Sequence, residues 1–185
     1  GEVNAYKAPP DSWVRIRELG LSHNSFLSNQ GGSGLILTMN VSAPPFDNVE
    51  VRRAVLKALD PWEYVRTVWS DQGTVGLGIP VQRPSWLLTK DEMREGYFAD
   101  PSAAADALRN SGLPVPLTFE LAVGDFGDIY LQQGRRIEED LRSVGFDPVF
   151  SVLRPDQYPE RVWSNKEYEL SVGVLPPTNT TNSFL

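Results

Sequence analysis

Few residues in this chain of 185 have the types and spacing that catalysis or metal binding requires. His23 is the only histidine and there is no cysteine, which excludes thiol catalysis and leaves too few ligands for a zinc site. Gly32-Ser33-Gly34 lacks the spacing of a nucleophile elbow. Gly76-Leu77-Gly78 is followed by Ile79-Pro80 rather than by a helix, which argues against a dinucleotide-binding turn. We therefore expect no enzyme activity, no catalytic residue, no bound metal and no cofactor.

Two groups of carboxylates could take part in binding. Glu138-Glu139-Asp140 form a run on a predicted helix, and we expect them to be a solvated face of that helix. Asp125 and Asp128 stand where the same helix should begin, and two interpretations of this pair are open. The favoured one is that they cap the helix, and the other is that one of them contacts a ligand.

Three tryptophans are expected to be buried, and the role of a fourth is undecided. Trp62 and Trp69 fall on a predicted helix, and we expect them in the core rather than in a site. We expect Trp163 to pack under the sheet. Trp86 lies in a predicted loop beside Leu87, where a ligand platform and a loop anchor are equally favoured.

The composition is that of a globular protein. Hydrophobic residues make up 41% and charged residues 22% of the chain, close to globular averages, and a chain of this length buries roughly 70% of its unfolded surface. The net charge is −7. No cluster of Lys and Arg is present to displace counterions, so we expect no nucleic-acid partner.

The first half of the sequence predicts one strand and three helices. A largely buried strand is expected over residues 35–41. Asp47 and Glu50 suggest a capping box for a helix whose apolar positions recur every three or four residues. A second helix should begin with Asp60 as its cap, a long loop should cover residues 73–89, and a third helix should run from Asp100-Pro101 to Gly112. The apolar positions of the first helix are Val51, Ala54, Val55, Ala58 and Leu59.

The second half alternates between strand and helix patterns. Strands are predicted over residues 117–123, 146–153 and 169–175, with a helix closed by Gly145 and a short helix over residues 155–165 between them. This βαβαβ order predicts parallel strands with right-handed crossovers, and therefore an α/β fold.

Two loops follow carboxyl ends of these predicted parallel strands. Ligands of open α/β sheets bind outside such ends, so we place the binding site where the two loops meet at one sheet edge. Thr178 and Asn179 offer a hydroxyl and an amide, which suit neutral hydrogen-bonding groups. The predicted ligand-binding residues are Gly124, Asp125, Phe126, Gly127, Leu175, Pro176, Pro177, Thr178 and Asn179.

Residues 35–65 resemble the signature of the family 5 extracellular solute-binding proteins, the dipeptide and oligopeptide receptors of ABC importers. In that family a strand leads to an Asn, then to Pro-Pro-Phe and Asp, and then to a helix that ends in Asp. Further matches are the helices over residues 103–112 and 137–145, and Tyr168-Glu169-Leu170 where the family has Tyr-Asp-Leu. The matching signature residues are Asn40, Pro44-Pro45-Phe46, Asp47, Arg52-Arg53-Ala54 and Asp60.

The resemblance implies one lobe of a two-lobed periplasmic-binding-protein-like fold, with a mixed sheet whose C-terminal half is βαβαβ. Residues 1–185 would form this single lobe, excised from a longer protein that closes over a solute between its lobes. We expect the lobe to fold on its own, because its apolar pattern completes that core.

Two departures from the family pattern concern charge. Peptide-binding members have a Trp-x-x-Asp stretch whose Asp pairs with the peptide amine, and here Leu175-Pro176-Pro177-Thr178 stands in its place. Dipeptide binders have an Arg in the earlier loop, and here that loop is Gly124-Asp125-Phe126-Gly127. A neutral or differently charged solute is therefore as well supported as a peptide.

The resemblance predicts the substrate-binding component of an ABC importer, with a peptide, a sugar or another small molecule as solute. The expected partner is the membrane permease, and the protein is expected to be a monomer. It would be periplasmic or extracellular, with a lipid anchor to the cell membrane as one option. The alternative is the solute-sensing lobe of a cytoplasmic transcription regulator.

Overall fold

Four strands form one mixed sheet in the computed structural model, which describes residues 15–16, 18–20, 34–78 and 84–174. The strands lie in the order β1-β4-β2-β3. β1 is antiparallel to β4, whereas β2 is parallel to both β3 and β4. The predicted parallel strands and the mixed sheet are therefore confirmed. Their bounds are β1 Leu35–Met39, β2 Leu117–Gly124, β3 Phe146–Leu153 and β4 Leu170–Val174.

Helices connect and cover these strands. The α-helices are α1 Val49–Ala58, α2 Pro61–Thr67, α3 Lys90–Gly96, α4 Pro101–Asn110 and α5 Asp128–Ser143. A 3₁₀ turn covers Pro84–Trp86, and a π-helix covers Pro159–Ser164. α5 joins β2 to β3, and the π-helix lies in the crossover from β3 to β4. No helix among the described residues has the length and apolarity needed to cross a membrane.

The main core lies between one face of the sheet and helices α1, α4 and α5. Alternate residues of β2 and β4 face it, and Leu121, Val123 and Leu170 are fully buried there. The predicted apolar positions of α1 pack into the same cluster. Phe119 is central, because its ring makes edge contacts with Phe46 at 5.0 Å and with Phe146 at 5.6 Å.

The cap of α1 is not the residue that the sequence pattern suggests. Asn48 is the N-cap, and its side-chain oxygen accepts from the backbone N–H of Glu50 at 2.9 Å. Asp47 lies one position too early, and its backbone carbonyl instead accepts from Arg52 at 2.9 Å. Asn48 also donates to the Ser111 carbonyl at the end of α4, 3.1 Å away. The amide therefore links the start of one helix to the end of another, which a carboxylate cannot do.

A helix that the sequence analysis did not predict, α3, begins directly after the predicted loop over residues 73–89. Thr89 caps α3, and Glu92 completes a capping box by accepting from the Thr89 backbone N–H at 2.8 Å. The hydrogen bond from Thr89 lowers the pKa of the Glu92 carboxyl. This spacing of Thr and Glu is visible in the sequence, but little apolar periodicity accompanies it.

The carboxylate run on α5 is only partly a solvated face. Glu139 is exposed and pairs with Arg136, as predicted. Asp140 is half-buried and accepts a hydrogen bond from the buried Tyr64 hydroxyl. The Glu138 side chain is only 13% exposed and pairs with Arg135 and Arg142, so the prediction is wrong for these two residues. Burial raises the pKa of Asp140, and the bond from Tyr64 opposes that rise. Burial and the adjacent carboxylate raise the pKa of Tyr64 far above its ordinary value.

The cap of α1 can be tested by replacing either candidate. Asn48→Ala removes the accepted and the donated hydrogen bond, and we expect it to lower the free energy of unfolding by about 1–2 kcal/mol. Asp47→Ala is the matched control and should cost much less, since its side chain is not the cap. Urea unfolding of both variants is the measurement. A larger loss in Asp47→Ala than in Asn48→Ala would show that the cap is assigned to the wrong residue.

The buried Tyr64 predicts a loss of stability at alkaline pH. Its pKa is raised in the folded state, so its contribution is complete below about pH 10 and declines as the pH rises further. Between pH 8 and pH 11 this amounts to about 1.4 kcal/mol for one tyrosine that ionises only when unfolded. Tyr64→Phe should lose less stability than the original chain over this interval, measured by urea unfolding at both pH values. Equal losses in the two proteins would contradict the prediction.

Candidate functional site

The carboxyl ends of three strands meet at one edge of the sheet. β2 ends at Gly124, paired in parallel with Leu153 at the end of β3. β4 runs in the same direction on the other side of β2 and ends at Val174. Leu35 begins β1 opposite Val174, because that pair is antiparallel. The edge predicted from the βαβαβ pattern is therefore present, and we call it the carboxyl edge.

The predicted site residues fall into two groups. Gly124 ends β2 and residues 125–127 follow it at the carboxyl edge, which is where the sequence pattern puts them. Leu175, Pro176, Pro177, Thr178 and Asn179 lie outside the described residues, so their placement stays a prediction. The last described residue before them, Val174, is at the carboxyl edge.

Backbone contacts hold the loop over residues 124–127 against its neighbours. The Asp125 N–H donates to the Leu153 carbonyl at 2.8 Å, which ties the loop to β3. The Phe126 N–H donates to the Gly124 carbonyl at 3.0 Å. Gly127 has φ +118°, a conformation that side chains strongly disfavour, and α5 begins at the next residue. The loop is thus a tight turn from strand to helix.

The helix-capping interpretation of Asp125 and Asp128 is wrong. Gly127 occupies the N-cap position of α5, and no side chain hydrogen-bonds there. Asp128 is already the first residue of the helix, and Asp125 precedes the cap by two residues. Both side chains are exposed. Among the described residues none donates a hydrogen bond to the Asp125 carboxylate, which leaves it available to a ligand.

An aromatic cluster supports the loop from below. The Phe126 ring makes edge contacts with Tyr158 at 5.2 Å and with Tyr130 at 5.6 Å. Tyr158 is only 1% exposed and lies across the second face of the sheet, with Trp163 on its other side at 6.0 Å. Trp163 therefore packs next to the sheet, as predicted.

Two glycines make room for the Tyr158 ring. A Cβ atom on Gly124 would lie 2.8 Å from its Cδ2, and one on Gly173 would lie 2.7 Å from its Cε2. Neither strand could carry a side chain there without moving the ring. The sequence reading missed Tyr158, although glycine inside a strand is a known sign of close approach by another group.

The hydroxyl of Tyr158 ends in a short polar chain beneath the sheet. It lies 3.4 Å from Ser171 Oγ, which in turn is 2.6 Å from Thr38 Oγ1. Burial raises the pKa of Tyr158, and the bond with Ser171 partly offsets this. The chain crosses from the π-helix segment through β4 to β1, so it connects three parts of the lobe.

The third strand end adds a residue that the sequence reading also missed. Arg154 follows β3 at the carboxyl edge and is exposed, with its Nε 3.1 Å from Asp156. This neighbouring guanidinium lowers the pKa of Asp156. Arg154 and Asp156 therefore form a pair after β3. The loop after β2 has one charged residue, Asp125, and no described residue pairs with it. No group of His, Cys, Asp and Glu in the described ranges could hold a metal ion.

The other tryptophans are distributed around the molecule. Trp62 packs on Phe98 at 5.8 Å, and the Trp69 indole donates to Gln133 at 2.9 Å. Trp86 is 60% exposed, and both interpretations of it stay open. His23 and Ser33 lie outside the described residues.

Several solved structures of solute-binding proteins share the fold. An oligopeptide-binding protein of Thermotoga maritima bound to mannohexaose has a TM-score of 0.65 at 18% identity, covering 80% of this chain and 30% of that one. A dipeptide-binding protein of a Pseudoalteromonas species in complex with Met-Leu has a TM-score of 0.67 at 20% identity, covering 80% and 29%. A substrate-binding protein of Microbacterium hydrocarbonoxydans complexed with 4-hydroxybenzoate hydrazide has a TM-score of 0.56 at 21% identity, covering 93% and 33%.

These likenesses confirm the predicted fold, that of a single lobe of a periplasmic-binding protein. The chain covers about a third or less of the length of the three solved proteins. No curated protein sequence matches it significantly. Residues 1–184 match the family described as bacterial extracellular solute-binding proteins, family 5 middle region. Because this match spans nearly the whole sequence, the chain belongs to the family 5 bacterial extracellular solute-binding proteins.

Proposed function

We propose that this chain is part of the substrate-binding component of an ABC importer, and that its solute binds at the carboxyl edge. The observation that carries the proposal is the loop over residues 124–127. It follows the central parallel strand, rests on the buried Tyr158, and presents Asp125 without a partner among the described residues. Open α/β sheets bind ligands at such strand ends.

The proposed role involves no chemistry on the solute. The protein would bind it, and a membrane permease would recognise the closed complex, since a solute that contacts both lobes shifts the population toward the closed form. Membership in a family of extracellular proteins supports a periplasmic or extracellular location. We further propose that the protein acts as a monomer.

The solute class is proposed from the charges of the two loops. The solved relatives carry a hexasaccharide, a dipeptide and an aromatic hydrazide, so the fold accommodates very different solutes. The loop over residues 124–127 has no cation, and Arg154 is paired with Asp156. The 175–179 segment offers a hydroxyl and an amide rather than a carboxylate. We propose a neutral solute with several hydrogen-bonding groups, among them an O–H or N–H donor for the unpaired Asp125 carboxylate, which can only accept. Native mass spectrometry of the full-length protein would identify what copurifies with it.

The site assignment predicts the effects of two variants in the full-length protein. Asn179→Ala should weaken binding of the copurified solute by about 1–3 kcal/mol, because it leaves a buried solute group unpaired. Asp125→Ala should also weaken binding. Calorimetry measures the affinity, and the melting temperature without solute should barely change.

Matched controls for these variants lie on α4, away from the carboxyl edge. Asn110→Ala and Asp106→Ala make the same two changes at exposed positions, and both should bind like the unmodified protein. If Asn179→Ala and Asp125→Ala also bind normally, the solute site is not at this edge.

Binding by residues 1–185 alone should be weak. A two-lobed receptor draws contacts from both walls of its cleft, and one lobe cannot exclude water by closing. About half of a −8 kcal/mol interaction corresponds to a millimolar dissociation constant. Calorimetry on this chain with the identified solute tests the expectation, and micromolar affinity would contradict it.

A further inference from the structure

A cavity of about 600 Å³ lies beside the main core, apart from the loop over residues 124–127. The first half of β1, the end of α1, helix α2, the 72–78 segment, the residues after α3 and α5 line it, and it is open to solvent along the largely exposed 73–78 segment. Its volume is within the range of small-molecule sites in proteins. Aliphatic side chains form most of its wall, and four aromatic ones join them, namely Tyr64, Trp69, Tyr97 and Phe98. None of the described residues that line it carries a charge.

Gln133 supplies the cavity with a polar group whose orientation is fixed. It lies on the second turn of α5, is only 3% exposed, and lines the cavity. Its side-chain oxygen accepts from the Trp69 indole N–H at 2.9 Å. Because an indole nitrogen can only donate, the amide cannot be turned round, and its NH₂ group points away from Trp69.

That NH₂ group has no partner among the described residues. No described side-chain nitrogen or oxygen is both fully enclosed and unsatisfied. The Gln133 nitrogen therefore keeps contact with open space, and the cavity that its side chain lines provides it. A buried donor that faces an apolar cavity is costly unless an acceptor meets it.

Three of the other polar groups in the wall are already engaged, and two further hydroxyls, on Thr74 and Tyr97, belong to exposed residues. The Tyr64 hydroxyl donates to Asp140, the Trp69 indole donates to Gln133, and the Gln72 amide donates to the Ser70 carbonyl at 3.4 Å. The cavity thus offers apolar and aromatic surface and, besides the exposed hydroxyls of Thr74 and Tyr97, one buried donor of fixed orientation. An uncharged ligand matches it, because no cation in the wall would compensate a buried anion.

We infer that this cavity is a binding site for a neutral aromatic molecule that carries a carbonyl group, with the ring among Trp69, Tyr64 and Phe98 and the carbonyl oxygen accepting from Gln133. The inference stands on the cavity alone and does not depend on the transport role. Tyr130 lies between the two places, 6.1 Å from Trp69 and 5.6 Å from Phe126 by ring centroids. Occupancy of the cavity should therefore be detectable next to the loop over residues 124–127.

Two probes of the same shape test the inference on the ¹⁵N-labelled protein. Acetophenone carries a carbonyl, and α-methylstyrene replaces its oxygen with a CH₂ group. We expect acetophenone to bind about 2- to 12-fold more tightly, the range that one net hydrogen bond supplies. It should shift the NMR signals of the Gln133 NH₂ group and of the Trp69 indole N–H. Equal affinity for the two probes, or no change in the Gln133 signals up to the solubility limit, would overturn the proposal.

A neighbouring glutamine provides the matched control. Gln133→Met keeps the length of the side chain but removes the donor, and it should abolish the preference for acetophenone. Gln132→Met makes the same change at an exposed position of α5 and should keep the preference. If Gln133→Met does not fold, the comparison of the two probes on the unmodified protein still decides the question. A Gln133→Met variant that folds and retains the full preference would assign the carbonyl to another donor and overturn the proposal.

Discussion

The carboxyl edge depends on how closely Tyr158 approaches the sheet. Its ring lies against the backbone of two neighbouring parallel strands, at Gly124 and Gly173, where a Cβ atom on either would come within 3.0 Å of the ring. Because the Tyr158 ring lies so close to the backbone of these strands, Phe126 can pack on it and the turn into α5 stays close to the end of β2. A side chain at Gly173 would displace the Tyr158 ring that supports Phe126, and one at Gly124 would collide with Phe126 as well as with Tyr158. Either change would move the loop that carries Asp125. Packing in protein interiors leaves little space to absorb such a change.

The two faces of the sheet are stabilised in different ways. The face toward α1 and α5 is apolar, and its burial supplies the main driving force for folding. The face under the π-helix has a smaller apolar cluster around Tyr158 and adds hydrogen bonds to it, with Glu120 accepting from Ser151 at 2.6 Å and from Arg161 at 2.7 Å. The Glu120 backbone N–H also donates to the Glu169 carboxylate at 2.6 Å. These charge-assisted bonds fix where the π-helix lies, and the π-helix in turn holds Trp163 against Tyr158.

Local patterns in the sequence predict most of the secondary structure. The apolar repeat of α1 and the bounds of β3 are confirmed, because the periodic spacing of apolar residues along the sequence shows which positions are buried. The parallel edge follows from the order of elements alone. Failures occur where a neighbouring residue competes for the same role, as when Asn48 rather than Asp47 caps α1. Asp125 fails as a cap for a related reason, since Gly127 already makes the turn with a positive φ.

Apart from Arg154, whose partner Asp156 is two residues away, the side chains whose roles the sequence did not reveal depend on distant partners. Tyr158 gains its role from glycines on two other strands, and Asp140 from Tyr64 on α2. Gln133 falls next to the apolar stripe of α5, where nothing in the helix indicates that a buried amide will meet an indole from the segment after α2. Because the Trp69 indole can only donate, it takes the Gln133 oxygen as its acceptor and leaves the Gln133 NH₂ group without a partner among the described residues. Tertiary contact, rather than composition, therefore sets the chemistry of this lobe. At the strand ends Arg154 and Asp156 pair with each other, whereas the Asp125 carboxylate and the Gln133 NH₂ group have no partner among the described residues. Such groups select ligands by whether each hydrogen bond is met.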